Sequence, residues 1–517
     1  MPSIRTPVSR CVAAAVVALL LCVAAVPAGA VELRDVVALA QQRSAENYRP
    51  PAEIPSFLQE LSYEQARLFR FLPDRRLWRG SKAPFQVSFI APARHQRYPV
   101  KIHWITPKGV RDIPFDREMF EFGDPDLAKR IPPDLGFAGL RLEYPLNRPG
   151  EFEPVVEFSG ASYFRGVGKG SVPGLWARGL AIDTGLPGGE EFPLFTEFWL
   201  EEPKAGATST RIFALLEGPS VTGGYEFRVT PGENTKVAVR AEIFVRKPVT
   251  MLGLGPLTSM FFYGENTARP LGQWRPEMHH SDGLLVNDGT GEWLWRPLLN
   301  PRTPELYGFN VKNARGFGLL QRDRRFDAYE DGDANDQLSP SAWVALRQPS
   351  GPGRIVLVEI PSPDQTNDNI VAFWSPEKAV PAGQRIALDY DLVLGSRPEP
   401  DGPLAAVVNS FVGRTASAPG RHQPADAYRF LIDFSGGALA KVKAREAPVA
   451  GNVSVVGGKV LEQYVEYLSA PERWRLVFVV RPEPESGMEM RAFLHLGDDT
   501  LSETWSYHLP SANSLTP

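Results

Sequence analysis

Two short segments of the chain carry side chains that could perform acid and base chemistry. They are residues 279–283 (His-His-Ser-Asp-Gly) and residues 367–369 (Asn-Asp-Asn), the second running into the apolar stretch 370–374. Cleavage of a glycosidic bond commonly needs one protonated carboxyl group for the leaving oxygen and a second group that activates water or attacks carbon. Apolar surroundings or nearby charges raise the pKa of such an acid. Asp368 has a setting of that kind.

The region around these segments is rich in aromatic, amide and charged side chains, a mixture that suits a sugar. Flat apolar rings can cover the C–H faces of a pyranose, while amides, carboxylates and guanidinium groups bind its hydroxyls. The candidate sugar-binding residues are Tyr263, Arg275, His279, Trp293, Trp295, Arg296, Glu359 and Asn369. Any one of them could instead be an ordinary core aromatic or a polar residue that caps a turn. The cluster as a whole favours a carbohydrate cleft.

Other chemistries fit the same region less well. The stretch 331–336 has carboxylates at the spacing of a calcium loop, but Ala342 stands where such a loop needs a bidentate Glu. Adjacent His279 and His280 point to opposite faces of an extended segment and make poor ligands for one metal. Ser281 does not lie in a nucleophile elbow. We therefore expect neither a bound metal nor a cofactor.

The composition is that of an ordinary globular protein. The 517 residues are 43% hydrophobic and 22% charged, and this length favours two or more domains. The 49 prolines and 46 glycines are spread along the chain, which favours many short strands joined by turns. With a formal net charge of −4 and no basic block, the chain is a poor candidate for binding nucleic acid or an anionic membrane surface.

The first 30 residues have the pattern of a secretory signal peptide. Arg5 and Arg10 precede an uncharged apolar run at residues 11–26, and residues 28–30 (Ala-Gly-Ala) form a small-x-small cleavage pattern. We predict removal after Ala30 and no membrane insertion of the mature protein, with a retained membrane anchor as the alternative. Both cysteines lie inside this leader, so the mature chain is expected to have no disulfide and no thiol chemistry.

Two helices are predicted near the start of the mature chain. Residues 32–48 show a helical period, with four apolar residues on one face: Leu33, Val36, Val37 and Ala40. The spacing of Ser62 and Gln65 matches a capping box and predicts a second, short helix beginning there.

The rest of the chain changes to the period of β-strands. Apolar and polar residues alternate, as they do in strands with one solvent-exposed face. The predicted strands are residues 85–90, 100–105, 140–144, 211–216, 236–245, 354–360, 386–394, 474–480 and 490–496. With few helices to cross between them, these strands favour antiparallel sheets packed as a sandwich.

A polar stretch rich in proline and glycine, residues 396–403, predicts a linker between two domains. The larger domain, residues 31–395, contains every candidate catalytic and sugar-binding residue. The smaller domain, residues 404–517, shows fresh alternation of apolar and polar residues but no cluster of catalytic type. The chemistry is therefore expected in the larger domain.

Several longer motifs resemble those of one known family. They are residues 262–266 (Phe-Tyr-Gly-Glu-Asn), 279–283, 291–298 (Gly-Glu-Trp-Leu-Trp-Arg-Pro-Leu), 316–322, 366–371 (Thr-Asn-Asp-Asn-Ile-Val), 160–165, 177–184 and 501–507. In this order they resemble the glucans biosynthesis protein G/D family (OpgG/MdoG and OpgD). The likeness covers nearly the whole mature chain.

The resemblance implies a periplasmic protein that serves the production of osmoregulated periplasmic glucans. It also implies an all-β fold, in which a large antiparallel β-sandwich is followed by a smaller immunoglobulin-like β-sandwich, with few short helices.

The resemblance further implies roles for individual residues. Family members that behave as β-1,2-glucan hydrolases use as general acid an aspartate matching Asp368, and their base lies in the segment matching residues 279–283. This chain departs from that pattern at three positions: His280 replaces an aspartate, Gln365 a frequent glutamate, and Asp336 an expected tyrosine. These departures suggest altered or lost turnover, with glucan binding retained.

Two hypotheses of different classes follow. In the first, the protein binds linear β-1,2-glucan across a long cleft and cleaves it as an inverting endo-hydrolase, with Asp368 as acid and either His280 or Asp282 relaying a proton from water. In the second, it is a non-catalytic glucan-binding or assembly protein that receives the chain from a membrane glucan synthase. A transglycosylase that cyclises or branches the chain is a third reading. The resemblance leaves G-type and D-type both open.

Overall fold

The computed structural model describes residues 31–347, 350–415, 424, 426–442, 448–483 and 487–511. The predicted signal peptide, residues 1–30, lies outside these ranges. Within them the chain is mostly β-strand with short helices, which confirms the predicted all-β class. Across the same ranges, every helix is too short or too polar to cross a membrane.

The two helices predicted near the start of the mature chain are confirmed. The first is capped by a reciprocal pair of bonds between Glu32 and Asp35, and the Ser62 hydroxyl accepts from Gln65 N at 3.1 Å. The first helix ends at Ser44, earlier than predicted, because the Ser44 hydroxyl bonds back to Gln41 O and competes with continuation of the helix. The described α-helices are α1 Leu33–Ser44, α2 Ser56–Gln59, α3 Tyr63–Ala66, α4 Pro125–Arg130 and α5 Phe326–Tyr329, and the 3₁₀ helices are Pro73–Arg75, Arg117–Met119, Asp336–Leu338 and Gly437–Lys441.

The first large sheet has ten strands in the described part of the chain, and all its pairs are antiparallel. Its strands are β2 Gln86–Ile90, β6 Gly139–Tyr144, β7 Glu153–Ser159, β8 Tyr163–Gly166, β9 Trp176–Arg178, β10 Ala181–Ile182, β15 Leu252–Ser259, β20 Glu305–Val311, β23 Gly353–Glu359 and β24 Ile370–Pro376. Their spatial order is β2-β6-β7-β8-β9-β15-β24-β23-β20, with β10 beside β15.

The second large sheet has fifteen strands in the same ranges. They are β3 Lys101–Thr106, β4 Gly109–Asp112, β11 Leu194–Glu201, β12 Thr210–Glu217, β13 Val221–Thr230, β14 Thr235–Val245, β18 Gly283–Asn287, β19 Trp293–Pro297, β21 Gly316–Leu320, β22 Ser341–Leu346, β25 Arg385–Gly395, β28 Ala450–Val456, β31 Met488–Leu496, β32 Asp499–Thr500 and β33 Thr504–Leu509. The order is β28-β31-β33-β19-β18-β21-β22-β25-β14-β13-β12-β11-β3-β4, with β32 beside β31. The pairs β3–β11 and β19–β33 are parallel.

Three smaller sheets complete the described strands. They are the pair β1 Arg70–Phe71 with β5 Phe120–Glu121, the pair β16 Phe261–Tyr263 with β17 Met278–His279, and a sheet of β26 Ala406–Arg414, β27 Tyr428–Ser435, β30 Arg473–Pro482 and β29 Gly458–Leu468. The strands predicted by alternation are all present, with ends shifted by one or two residues.

The two large sheets pack face to face through a continuous hydrophobic core. Phe158 on β7 of the first sheet lies with its ring centroid 5.0 Å from Phe227 on β13 and 5.3 Å from Phe198 on β11 of the second. Burial of these inward-facing residues is what holds a sandwich together. The opposite face of the first sheet is mixed: a small buried apolar cluster that includes Val356 and Phe373 covers β23 and β24, whereas β6 to β8 carry polar side chains there.

The region after residue 403 is joined closely to the second sheet. Leu294 pairs with Thr504 and Trp295 with Trp505, so β33 extends the sheet of the larger region. A second hydrophobic core contains Trp295 together with Phe430 from the four-stranded sheet. The division at residues 396–403 stays a prediction, and the regions on its two sides share both a sheet and a core.

Candidate functional site

The backbone around Met260 brings the two candidate segments to neighbouring positions. Asn369 N donates to Ser259 O at 3.0 Å, and His280 N donates to Met260 O at 2.9 Å. The segment containing Met260 thus lies between the other two. Because adjacent strands are about 4.8 Å apart, the backbones of residues 369 and 280 are separated by roughly 10 Å.

Asp368 is open to solvent on one side and surrounded by protein on the others. Desolvation by the surrounding protein raises its pKa to about 6, against the opposing pull of the Arg178 and Arg165 guanidinium groups. A carboxyl group that is both accessible and partly protonated near pH 6 has the properties of a general acid.

His280 is the second predicted catalytic group that remains accessible. Its side chain is 26% exposed, and its Nε2 lies 3.6 Å from Oδ1 of Asp336 at the start of a 3₁₀ helix. Nδ1 is buried and has no hydrogen-bond partner within the part of the chain that the structure describes. Burial, with help from His279 and Arg165, lowers the pKa of His280 to about 4, and burial raises the pKa of Asp336 to about 6. Neutral imidazole therefore faces a carboxyl group.

Asp282, the alternative base, is occupied by other contacts. One carboxylate oxygen accepts the backbone N–H groups of Arg322 and Asp323, and the other lies 3.2 Å from Nδ1 of His279. The second ring nitrogen of His279, Nε2, lies 2.8 Å from Oε2 of Glu277. Burial opposes the charged form of His279, but these two carboxylates outweigh it and raise its pKa to about 9. Asp282 thus serves mainly to hold a buried imidazolium.

A cavity of about 30 Å³ beside His279 gathers further carboxyl groups. Glu265 accepts hydrogen bonds from Asn409 and Ser410 of the region after residue 403. Burial raises the pKa of Glu265 to about 7 and that of Asp323 to about 8, and neighbouring carboxylates add to both shifts. At neutral pH, Asp323 is therefore mostly protonated and Glu265 is about half protonated.

The same carboxyl groups include two sets with the spacing of metal ligands. Glu277, His279 and Asp282 offer ligand atoms within 4.8 Å of one another, as do Glu265, Glu277 and Asp323. Oxygen-rich sets of this kind suit a hard divalent cation. Both ring nitrogens of His279, however, already face hydrogen-bond partners. The first set is therefore accounted for by hydrogen bonding within the protein.

Arg296 and Glu359, two predicted sugar-binding residues, are buried with protein partners. Arg296 is 1% exposed, lies 3.2 Å from Glu489 and 3.3 Å from Ser506 Oγ, and stacks its guanidinium 4.3 Å from the Tyr307 ring centroid. Glu359 is fully buried and accepts Leu299 N at 2.8 Å. Burial raises the pKa of Glu359 to about 8. Both side chains hold the fold in this conformation.

Asn369 and Tyr263 also bond to the backbone of their own surroundings. Asn369 accepts Phe261 N and donates to Phe261 O, each at 2.9 Å, which fixes the first residue of β16 against the residue that precedes β24. Tyr263 is 1% exposed and donates to Arg275 O at 3.0 Å. Arg275 itself pairs with Asp331 at 3.0 Å. These residues position the site and leave few atoms for a ligand.

The two predicted stacking tryptophans differ in access. Trp295 is buried under the Arg322 guanidinium, which lies 3.6 Å from its ring centroid. Trp293 is partly buried, stacks on Trp343 at 5.7 Å, and lines a groove of about 510 Å³ beside the predicted linker. Trp293 is thus the accessible one of the pair, and it faces that groove.

A row of polar and aromatic side chains missed by the sequence reasoning crosses the outer face of the first sheet. Arg141 on β6 donates to Glu157 on β7 at 2.8 Å, and Glu157 also accepts from Arg165 on β8 at 3.3 Å. The Arg165 guanidinium lies 4.3 Å from the centroid of Trp176 on β9, which pairs with Thr258 on β15. We call these five residues the transverse row.

The transverse row ends beside Asp368. Arg178 donates to Thr258 Oγ1 at 2.8 Å, pairs with Glu190, and places its guanidinium 4.8 Å from the Tyr163 ring centroid. Arg178 is also the cation with the largest effect on the pKa of Asp368. An accessible acid thus lies at one end of a surface of rings and hydrogen-bonding groups.

Comparisons with known proteins point to one family. A family model described as "Periplasmic glucan biosynthesis protein, MdoG" matches residues 31–509. A relative from Ralstonia nicotianae (strain ATCC BAA-1114 / GMI1000), named "Glucans biosynthesis protein G", is 44% identical over 483 residues, which are 92% of this chain and 96% of the relative.

Proposed function

The chain belongs to the MdoG family of periplasmic glucan biosynthesis proteins, and from this premise we propose that it acts in the periplasm on linear β-1,2-glucan. In this proposal, the protein binds the glucan along the transverse row and cleaves it as an inverting endo-hydrolase. The observation that carries the proposal is Asp368, an accessible carboxyl group with a pKa of about 6 at the end of that row. The predicted removal of residues 1–30 as a signal peptide accords with export of the protein.

Asp368 is the general acid of this proposal. In the protonated state its carboxyl group donates to the glycosidic oxygen as the bond to the anomeric carbon breaks. Arg165 and Arg178 keep the carboxylate that remains in a favourable electrostatic environment after the proton has left. Trp176, between Arg165 and Thr258 in the row, offers a ring face for a pyranose.

His280 is the better placed of the two candidate bases. Arg165 affects the pKa of both His280 and Asp368, so these groups share one electrostatic environment. The roughly 10 Å between their backbone segments leaves room for the water of a single-displacement reaction. The water attacks the anomeric carbon and gives its proton to His280 Nε2, since Nδ1 is buried. Asp336 then stabilises the imidazolium that forms.

A second candidate function is non-catalytic binding or assembly, in which the protein receives glucan from a membrane glucan synthase. The observation that favours it is the low pKa of His280, about 4, because an imidazole that holds a proton so weakly is a poor base near neutral pH. A transglycosylase would use the same acid but transfer the chain to a sugar hydroxyl.

One assay separates these functions. The mature protein is incubated with linear β-1,2-glucan while reducing ends and thermal stability are followed. New reducing ends that disappear in Asp368→Asn support the hydrolase. A rise in Tm without new ends supports binding alone, and rearranged products without net new ends indicate transglycosylation. If the glucan causes neither a Tm shift nor new reducing ends, the proposal fails as a whole.

A further inference from the structure

A recess with a volume of about 330 Å³ opens at the far end of the transverse row. It lies between α3 and the loop that follows β2, and Arg141 is shared between the recess and the row. The other polar and aromatic lining side chains that matter here are Tyr63, Arg94 and Gln96. The capping box of Ser62 and Gln65 predicted the helix that carries Tyr63 but not a recess beside it.

The entrance of the recess is formed by an exposed ring and a guanidinium. Tyr63 is 65% exposed, and Arg94 lies 5.6 Å from its ring centroid. Arg94 adopts a left-handed backbone conformation (φ 57°), and its N–H donates to Leu58 O at 2.8 Å. The loop is therefore held in a defined shape that directs Arg94 toward Tyr63.

Two of the three arginines that line the recess are paired with carboxylates. Arg67 pairs with Glu64 at 2.9 Å and Arg141 with Glu157 at 2.8 Å. A strongly anionic ligand would thus meet one guanidinium, that of Arg94, whose charge is not paired with a carboxylate of the described residues. An exposed phenol ring beside guanidinium and amide donors suits a neutral sugar, whose C–H face covers the ring while its hydroxyls accept hydrogen bonds.

The recess and the acid lie on one continuous surface. From β6, which carries Arg141, to β15, which carries Thr258, there are four strand spacings, or roughly 19 Å. Gln96, which lines the recess, donates to Ser159 Oγ on β7 at 2.6 Å and so joins the loop after β2 to the same sheet. A polysaccharide that lies across the sheet can therefore contact the acid and the recess at the same time.

We infer that this recess is a distal sugar-binding subsite, in which Tyr63 and Arg94 hold a glucosyl unit remote from the bond that Asp368 addresses. The inference rests on the proposed function, because the ligand is the same glucan chain. A subsite of this kind makes affinity depend on chain length, since only a long glucan spans the distance from Asp368.

The test compares two glucans in variants of the recess. Dissociation constants are measured by isothermal titration calorimetry in the Asp368→Asn background, so that the chain stays intact. One ligand is long linear β-1,2-glucan, and the other is the shortest β-1,2-linked oligosaccharide that the background protein binds. Tyr63→Ala and Arg94→Gln are the recess variants. Tyr467→Ala, a partly exposed tyrosine in the region after residue 403, is the matched control.

We expect Tyr63→Ala to weaken binding of the long glucan about five- to tenfold, with Arg94→Gln acting in the same direction. The short oligosaccharide should bind all variants alike, and Tyr467→Ala should change neither constant. Because Tyr63 is largely exposed, its variant should keep the parent Tm; if it does not, Arg94→Gln decides the matter alone.

Two results would overturn the inference, and they are distinct. If the long glucan binds the recess variants as tightly as the control, or if both ligands weaken equally, the recess is not a distal subsite while the proposed function stands. If neither glucan binds the background protein at all, the proposed function fails and the recess proposal fails with it.

Discussion

Nε2 of His280 lies 3.6 Å from Oδ1 of Asp336, although 56 positions separate these residues in the chain. The contact is longer than a hydrogen bond and short enough for a strong charge interaction once the imidazole gains a proton. His280 otherwise faces two cationic neighbours, His279 and Arg165, which disfavour that proton. An ionised Asp336 is therefore the group placed to stabilise a protonated His280.

Asp336→Asn tests this relationship through the pH profile. Loss of the carboxylate should lower kcat/KM for β-1,2-glucan about tenfold near pH 6, where Asp336 is partly ionised, and should leave the acidic limb near pH 4 in place, because Asp336 is already protonated there. Steady-state rates between pH 3 and 8 provide the measurement. Asp333→Asn, an exposed aspartate in the same loop, is the control. Equal rates near pH 6 in Asp336→Asn and the parent would show that the pair has no role in proton transfer.

Asp368→Asn tests the general acid. The variant should lose roughly 10²- to 10⁴-fold in kcat while keeping glucan affinity, since the amide cannot donate the required proton. The parent protein should show a bell-shaped dependence of kcat/KM on pH. Activity rises as His280 loses its proton near pH 4 and falls as Asp368 loses its own near pH 6. Asp364→Asn, an exposed neighbour, should behave as the parent. Undiminished hydrolysis by Asp368→Asn would exclude the assignment.

The strands could be predicted because their physics is local. Alternation of apolar and polar residues reports which face is buried, and strands such as β14 and β25 follow from it with ends shifted by at most one or two residues. The parallel pairing of Leu294 with Thr504 could not be predicted in this way, because it joins residues 210 positions apart.

The candidate site was only partly predictable, for a different reason. Residue type says that a side chain needs hydrogen-bond partners but not whether a ligand or the fold supplies them. Asn369 and Glu359 look like sugar-binding residues, yet the amide of Asn369 is satisfied by backbone groups, and Glu359 is fully buried with one oxygen accepting Leu299 N. The transverse row escapes sequence reasoning because Glu157, Arg165 and Trp176 come from different strands and meet only through their register. The alternate polar positions along those strands were the available signal.

The buried carboxyl groups near His279 predict how stability depends on pH. His279 keeps its proton to about pH 9 in the folded protein, against about 6.5 when unfolded, and Asp323 keeps its proton to about pH 8, against about 3.9. Both groups bind protons more tightly in the folded state, so stability is lost as pH rises, between about pH 3.9 and 8 for Asp323 and between about pH 6.5 and 9 for His279. Between pH 6.5 and 8 both groups contribute, and we expect Tm to fall by a few degrees from pH 6.5 to 9.

Asp323→Asn provides the corresponding variant. Without that carboxyl group, the decline of Tm between pH 6.5 and 9 should become shallower. Differential scanning fluorimetry in buffer containing EDTA supplies the measurement, because a bound cation would otherwise mask the charges. A Tm that rises with pH in the parent, or an identical slope in the variant, would contradict the assignment of protons to this cluster.

Arg322 and Glu503 form a buried ion pair between the larger region and the C-terminal region, with two bonds of 2.9 and 2.8 Å. Glu503 also accepts Val407 N at 2.9 Å. Arg322→Ala should lower the free energy of unfolding by about 3 kcal/mol or more, because it leaves a carboxylate buried without its partner. Arg325→Ala, which removes an exposed pair with Asp327, should cost far less, because solvent screens that pair. Equal losses in urea denaturation would refute the structural role of the pair.

The central claim is that the outer face of the first sheet, from the transverse row to Asp368, binds linear β-1,2-glucan. Calorimetric titration of that glucan into Asp368→Asn, with and without the further change Trp176→Ala, tests it most directly. We predict saturable binding that weakens about tenfold when the indole is removed, with unchanged Tm in the absence of glucan. The claim would be contradicted if the glucan bound neither Asp368→Asn nor the parent protein, or if its affinity were equal with and without the Trp176 indole.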